Sequence, residues 1–145
     1  MRKLIMATDG SDGAMGALAF GVQLAKAFEA ELCLINVTQD MGLSHKELQQ
    51  FSRTETVTLG GALTTQAHQI LATAKSRALE LGARRLHTEA AIGDPAGVIL
   101  NSAERDGADA IIVGKRGCGA LHRMLLGSVS QKLTSLAPCP VIIVP

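Results

Sequence analysis

A glycine-rich stretch near the end of the chain, GKRGCGALHRMLLGS (114–128), contains the residues best suited to chemistry. Glycine lets the backbone approach a ligand closely, and the first turn of a helix offers unpaired N–H groups at the positive end of its dipole. Such donors favour an anion, and phosphate is the natural guest. Four backbone amides are expected to converge on it: those of Gly117, Gly127, Ser128 and Val129. The Ser128 hydroxyl would add a donor, and Arg116 or Lys115 would add positive charge.

The residues alone leave a second interpretation of this stretch open. It is also compatible with a flexible glycine-rich connection in which Ser128 serves as nothing more than a helix N-cap. Two better-known phosphate motifs are excluded, because the glycines at 114, 117 and 119 do not follow GxGxxG and GxxxxGK[ST] occurs nowhere in the sequence. The site is therefore neither a usual dinucleotide fingerprint nor a Walker loop.

Composition narrows the class of protein. A chain of 145 residues fits one domain, 1–145, and with no run near the ~20 apolar residues of a membrane span we expect it to be cytoplasmic. The start MRKLIMATDG lacks the long apolar core of a signal peptide. The cysteines and histidines have no metal-ligand spacing, so no metal site of the protein's own is predicted. A net charge of +1 and 2% aromatic residues argue against nucleic-acid binding.

Short apolar runs alternate with amphipathic segments along the chain. The runs predict five strands, at 3–8, 31–37, 85–92, 108–113 and 140–144. Apolar residues at three- and four-residue spacing predict four main helices, at 14–28, 67–81, 95–106 and 129–136. This alternation predicts an α/β three-layer sandwich with a five-stranded parallel sheet of order 3-2-1-4-5.

Ligands of such sheets bind at the carboxyl ends of the strands, where the strand order reverses. The reversal between the first and fourth strands would bring Asp9 and Gly114 side by side. Asp9 has an alternative role as the cap of the first helix, which Ser11 or Asp12 could also fill. The segment 38–59 is predicted to be irregular, with a short helix at about 45–52; a flap over the crevice and a surface excursion without a role are both open.

The sequence resembles the universal stress protein family, in its nucleotide-binding branch, over the whole chain. Four features carry the resemblance: ATDGS at 7–11, LINV at 34–37, the glycine stretch, and the ending APCPVIIVP. The most specific is the spacing G-x2-G-x9-G-[ST], which is complete in Gly114, Gly117, Gly127 and Ser128.

The resemblance implies an adenine nucleotide site and a dimer edge. The implied nucleotide-binding residues are Ala7, Thr8, Asp9, Val37, Val113, Gly114, Arg116, Gly117, Gly127, Ser128 and Val129. The implied ligand is ATP, or ADP or AMP, with Mg²⁺ or Mn²⁺ held through the phosphates. Family members usually dimerise by pairing their last strands, which here implies a homodimer edge at Val141, Ile142, Ile143 and Val144.

Three functions remain open at this level. The preferred one is a homodimeric, ATP-binding stress-response or signalling module that binds a protein partner of unknown identity. No nucleophile, general base or Walker lysine is evident in the sequence, so no catalytic residue is assigned. The alternatives are a slow ATPase or autophosphorylating phosphotransferase, because phosphoryl transfer depends mainly on positioning and electrostatics, and a nucleotide-free interaction module.

Overall fold

The computed structural model describes residues 1–39, 53–115 and 126–145, and of residues 53–64 it describes the backbone alone. Strands and helices alternate through these ranges. The strands are β1 (Lys3–Ala7), β2 (Glu31–Gln39), β3 (Leu86–Gly93), β4 (Ala110–Gly114) and β5 (Val141–Val144). The helices are α1 (Asp12–Phe28), α2 (Arg53–Glu80), α3 (Pro95–Asp106) and α4 (Ser128–Leu136).

The five strands form one parallel sheet in the order β3-β2-β1-β4-β5, which confirms the predicted fold. In the register, Met6 of β1 lies between Leu34 of β2 and Ile112 of β4. From β1, the strands β2 and β3 are added toward one edge of the sheet, and β4 and β5 are then added toward the other edge. Since parallel crossovers are right-handed, this reversal places helices on both faces of the sheet.

Two apolar layers cover the two faces of the central strands. Alternate residues of each strand point to opposite faces, so β1 directs Leu4 and Met6 to one layer and Ile5 to the other. The first layer packs against α1 and α2, with Leu18 and Leu71 fully or nearly fully buried. The second layer packs against α3 and α4, and its buried members are Ile5, Ile35, Ala96, Ile99, Ala103, Ile111, Val113 and Leu133. Burial on both faces explains why the central strands read as continuous apolar runs.

The helix ends follow the capping signals of the sequence. Ser11 is the N-cap of α1, and its side chain accepts a hydrogen bond from the Ala14 amide at 3.2 Å. Asp94 caps α3 through the Gly97 amide at 2.9 Å, with Pro95 in the first turn. α3 ends at Gly107, whose φ of 62° lies in the left-handed region that glycine favours. The predicted cap of α1 at Ser11 or Asp12 is thereby resolved in favour of Ser11.

The prediction of an irregular segment at 38–59 is wrong at both ends. Residues 38 and 39 continue β2, where they pair with Ile92 and Gly93, and residues 53–59 already belong to α2. The periodicity there is weak because threonines and the pair Gly60–Gly61 interrupt it, so the pattern becomes clear only from Ala67. The predicted helix at 45–52, and most of the predicted flap, lie outside the described residues. In the described parts of the chain, every helix is too short or too polar to cross a membrane.

Candidate nucleotide site at the carboxyl edge of the sheet

The end of β1 and the turn that follows it lie at the carboxyl edge of the sheet, where this strand order predicts a ligand crevice with these residues as one wall. Ala7 is half-buried, Thr8 is buried and Asp9 is exposed, so the chain passes from core to solvent within three residues. Gly10, at a φ of 79°, turns the backbone toward α1 and donates to Thr8 Oγ1 at 3.4 Å. The Asp9 carboxylate accepts from the Ser11 amide at 2.9 Å. Asp9 thus shapes the turn before the helix, and Ser11 rather than Asp9 is the cap of α1.

A buried amide side chain holds this wall against β2. Asn36 is 5% exposed, and its Nδ2 donates to the Thr8 carbonyl at 2.9 Å. The Thr8 amide, one residue past the end of β1, in turn donates to the Ile35 carbonyl at 2.9 Å. A buried polar side chain requires a partner, and Asn36 finds one in the strand end that precedes Asp9.

Val37 lies one residue further along β2, beyond the point where β1 has ended. Along a strand, the backbone N–H and C=O groups of every second residue point to the same side. The N–H and C=O groups of Val37 therefore point the same way as the Ile35 carbonyl, which accepts from Thr8. That direction is toward the crevice above β1. The Val37 side chain packs half-buried against the second core layer. Its backbone N–H and C=O groups therefore face the space beyond the end of β1.

The opposite wall is the end of β4. Val113 is buried, and Gly114 closes the strand beside the start of α1. A Cβ at Gly114 would lie 3.4 Å from the carbonyl carbon and oxygen of Gly13, so the two backbones approach closely here. The predicted meeting of the first and fourth strand ends is thereby observed in the register and in this contact.

The first turn of α4 lies beside the end of β4, on the face of the sheet that α3 and α4 cover. Gly127 is the N-cap and provides no side-chain cap. The first helical bond runs from the Gln131 amide to the Gly127 carbonyl, so the amides of Ser128 and Val129 precede the ladder of the helix. Ser128 is exposed and Val129 is half-buried. The two amides lie at the positive end of the helix dipole.

One detail of the predicted cradle differs in the structure. The Gly127 amide donates to the Lys115 carbonyl at 3.0 Å, so it is engaged within the protein rather than aimed at a ligand. The donors of this turn are then the amides of Ser128 and Val129. The φ of Gly127 is −68°, a value that any residue can adopt. Glycine is therefore not needed here for its backbone conformation, and what it contributes is the absence of a side chain. Arg116 and Gly117 lie outside the described residues.

An ion pair beside the crevice links α3 to α4. Lys132 Nζ lies 3.0 Å from Asp94 Oδ2. The Gly97 amide and then Lys132 hold the pKa of Asp94 below its usual range. The carboxylate is thus used for capping and helix packing, as the spacing before Pro95 suggests.

A cavity of about 320 Å³ lies at the opposite, amino edge of the sheet. It is lined mainly by the first residues of β1, β2 and β3, among them Lys3, Cys33 and His87. Its acidic residues already have partners, since Glu31 approaches His87 at 3.5 Å and Glu89 pairs with Arg105 at 2.9 Å. In the described ranges, His, Cys, Asp and Glu side chains form no group of three or more that could hold a metal ion.

The structure is a parallel α/β domain whose strand order reverses between β1 and β4, with the start of α4 beside the end of β4. The chain belongs to the universal stress protein family, whose family model matches residues 1–145. It is 37% identical over 145 residues to universal stress protein YxiE of Bacillus subtilis, an alignment that covers 98% of this chain and 97% of the relative.

Solved structures show the same fold. The universal stress protein UspA from Lactobacillus plantarum matches with a TM-score of 0.87 and 25% identity over 99% of this chain and 97% of that one. A universal stress protein in complex with cAMP matches with a TM-score of 0.72 and 24% identity, covering 99% and 96% of the two chains. The universal stress protein from Archaeoglobus fulgidus in complex with dAMP has a TM-score of 0.72 at 19% identity, with 100% and 98% covered.

Proposed function

We propose that this member of the family is an ATP-binding protein that acts as a homodimeric, nucleotide-dependent stress-response or signalling module. The observation that carries the proposal is the start of α4, which has no side-chain cap and lies beside the end of β4. The amides of Ser128 and Val129 would bind phosphate oxygens there, and the helix dipole would favour the negative charge.

The nucleoside would lie across the strand ends. The Val37 backbone would contact the edge of the base, and Asp9 would hydrogen-bond the ribose hydroxyls, which suit a carboxylate acceptor. Both family structures named above as complexes hold an adenine nucleotide, which supports adenine as the base. Mg²⁺ would enter with the phosphates, because such ions are commonly held by phosphate oxygens and waters with few protein ligands.

Calorimetry on nucleotide-stripped protein tests this proposal. We expect Mg²⁺-ATP to bind with micromolar affinity and Gly127→Val to abolish that binding, because the new side chain would fill the space next to the phosphates. Valine accommodates the φ of −68° and ψ of 161° at this position, so the variant is expected to fold. Gly16→Val is the matched control, because a Cβ at Gly16 meets nothing within 4 Å. Absence of ATP binding by the folded wild-type protein would refute the proposal.

The homodimer is proposed from the edge strand β5. Its four residues are apolar and each is half-buried, whereas the other edge strand, β3, carries His87, Thr88 and Glu89. Polar and charged residues protect an edge from pairing, and their lack on β5 favours a partner strand. A second copy of β5 related by a two-fold axis would cover this edge.

Backbone direction gives a specific test of the dimer. The Val144 and Pro140 carbonyls accept from β4, so the alternating N–H groups of Val141 and Ile143 face outward. Ile143→Pro removes one outward donor and leaves the bonds to β4 intact. We expect this variant to sediment as a monomer and the wild type as a dimer. A wild-type monomer, or a dimer unaffected by the substitution, would contradict pairing through β5.

A further inference from the structure

A buried serine joins the first turn of α4 to the end of β4. Ser130 is 4% exposed, and its Oγ donates to the Gly114 carbonyl at 3.1 Å. Ser130 is the third residue of the helix, directly after Ser128 and Val129. It belongs to neither the glycine stretch nor the predicted set of site residues.

The acceptor of this bond is the carbonyl of the last residue of β4. The Ile111 and Lys115 amides donate to β5, so these residues face that strand. Because peptide direction alternates along β4, Gly114 faces the side of β1 instead. The register of β1 with β4 ends at the pair Met6–Ile112, and two residues further along β4 the Ser130 hydroxyl donates to the Gly114 carbonyl.

A second bond fixes the same turn at a different point. The Gly127 amide donates to the Lys115 carbonyl at 3.0 Å, one residue beyond Gly114. The two bonds join the last carbonyl of β4 and the next carbonyl of the chain to the third residue and the cap of α4. Together they set the height and the rotation of the helix start relative to the strand ends. Binding groups must be held to within roughly 0.5 Å to act as a preformed site.

We propose that Ser130 is a positioning residue of the phosphate site: its hydroxyl holds the first turn of α4 on the Gly114 carbonyl so that the Ser128 and Val129 amides point into the crevice. This inference rests on the proposed nucleotide binding. Ser130 does not contact the ligand itself. Its removal therefore weakens the contacts to phosphate and leaves those to the nucleoside in place.

The test compares Ser130→Ala with the wild type in titrations with Mg²⁺-ATP and, separately, with adenosine. We expect the Kd for ATP to rise about three- to tenfold, the size of one lost hydrogen bond, and the Kd for adenosine to stay within twofold. Ser130→Thr, which keeps the hydroxyl, should restore ATP affinity. Ser102→Ala is the matched control: Ser102 is 2% exposed in α3, and its hydroxyl donates to Glu89 at 3.3 Å, away from the crevice.

The outcomes separate this inference from the proposed function. If the wild type binds ATP and Ser130→Ala binds it equally well, the positioning role is refuted and nucleotide binding stands. An equal loss for ATP and adenosine, or a loss matched by Ser102→Ala, would show a general structural role and also refute it. If the folded wild type binds no ATP, the proposed function fails first, and this inference fails with it.

Discussion

Replacing Asn36 by aspartate tests how the wall of the crevice next to Asp9 is built. The Asn36 side chain is 5% exposed and donates to the Thr8 carbonyl at 2.9 Å. Aspartate has nearly the same shape, but its ionised form would place an oxygen where the structure requires a donor. Its neutral form carries a proton and can still donate to the carbonyl. The variant is therefore expected to be destabilised in proportion to the ionisation of the new carboxyl.

The magnitude follows from the burial of the site. An aspartate carboxyl titrates near 3.9 in the unfolded chain, and burial of this degree raises that pKa by about 3 units in the folded state. One unit corresponds to about 1.4 kcal/mol, so Asn36→Asp should cost about 4 kcal/mol at pH 7. The folded state then binds more protons than the unfolded state, and stability falls as pH rises. The cost is absent below the unfolded pKa and grows by about 1.4 kcal/mol for each pH unit until the folded pKa is reached.

Urea unfolding of Asn36→Asp and wild type between pH 5 and pH 7.5 measures this difference directly. Asn101→Asp is the matched control, because Asn101 is exposed on α3 and its substitution should change stability by less than about 0.5 kcal/mol at any pH. A difference for Asn36→Asp that stays constant across this range would refute the reasoning. So would a loss below about 1 kcal/mol at pH 7, because it would mean that water reaches the side chain.

Three further predictions concern residues away from the crevice. Gly16→Ala should stabilise the protein by about 0.5–1 kcal/mol, measured by urea unfolding, because Gly16 lies within α1 with open space around it. Burial, and then the charge of Glu89, raises the pKa of Cys33 to about 11. Cys33 should therefore react with iodoacetamide at pH 8 at least about a hundredfold more slowly than a free cysteine. Equal rates in a mass-spectrometric assay would contradict this. Asp109 accepts the amides of Arg2 and then Lys3, which lower its pKa, so Asp109→Ala should lower the Tm at pH 7. That loss should shrink as acid protonates the wild-type carboxyl below its usual pKa, and a constant loss would argue against the contact.

The fold was largely predictable because the local signals and the tertiary structure agree. The central strands are buried on both faces, which produces apolar runs such as LIMA in β1 and AIIV in β4. The start of α2 was not predictable, because threonines and a glycine pair weaken the helical pattern there and tertiary packing decides the element instead.

The sequence predicts which backbone segments meet at the carboxyl edge of the sheet, but it does not predict the side chains that hold those segments together. Glycine spacing and the end of β1 indicate where chain segments meet, because both are local patterns. The roles of Asn36 and Ser130 depend on contacts with residues 28 and 16 positions away, which no local pattern encodes. A signal did exist for Asn36, since a polar residue inside the run LINV must be satisfied by a partner when it is buried.

The hydrogen bond of the Gly127 amide to the Lys115 carbonyl was also missed, because it too depends on a contact between distant parts of the sequence. Sequence reasoning treats every amide at a helix start as a free donor. The chain returning from β4 supplies the Lys115 carbonyl at hydrogen-bond distance, and one donor of the four predicted is thereby used. Fewer amides of the first turn of α4 can then donate to a ligand, and the hydrogen bond to Lys115 holds that turn in place.

The most direct test of the account is to map ATP binding onto the backbone amides by two-dimensional NMR of the ¹⁵N-labelled protein. The account predicts saturable shifts concentrated at the carboxyl edge, at Asp9, Val37, Gly114, Ser128 and Val129. The amides that line the cavity at the amino edge, such as Cys33 and Thr88, should stay unchanged. Shifts confined to that cavity, or none at millimolar ATP, would contradict the placement of the nucleotide at the ends of β1 and β4.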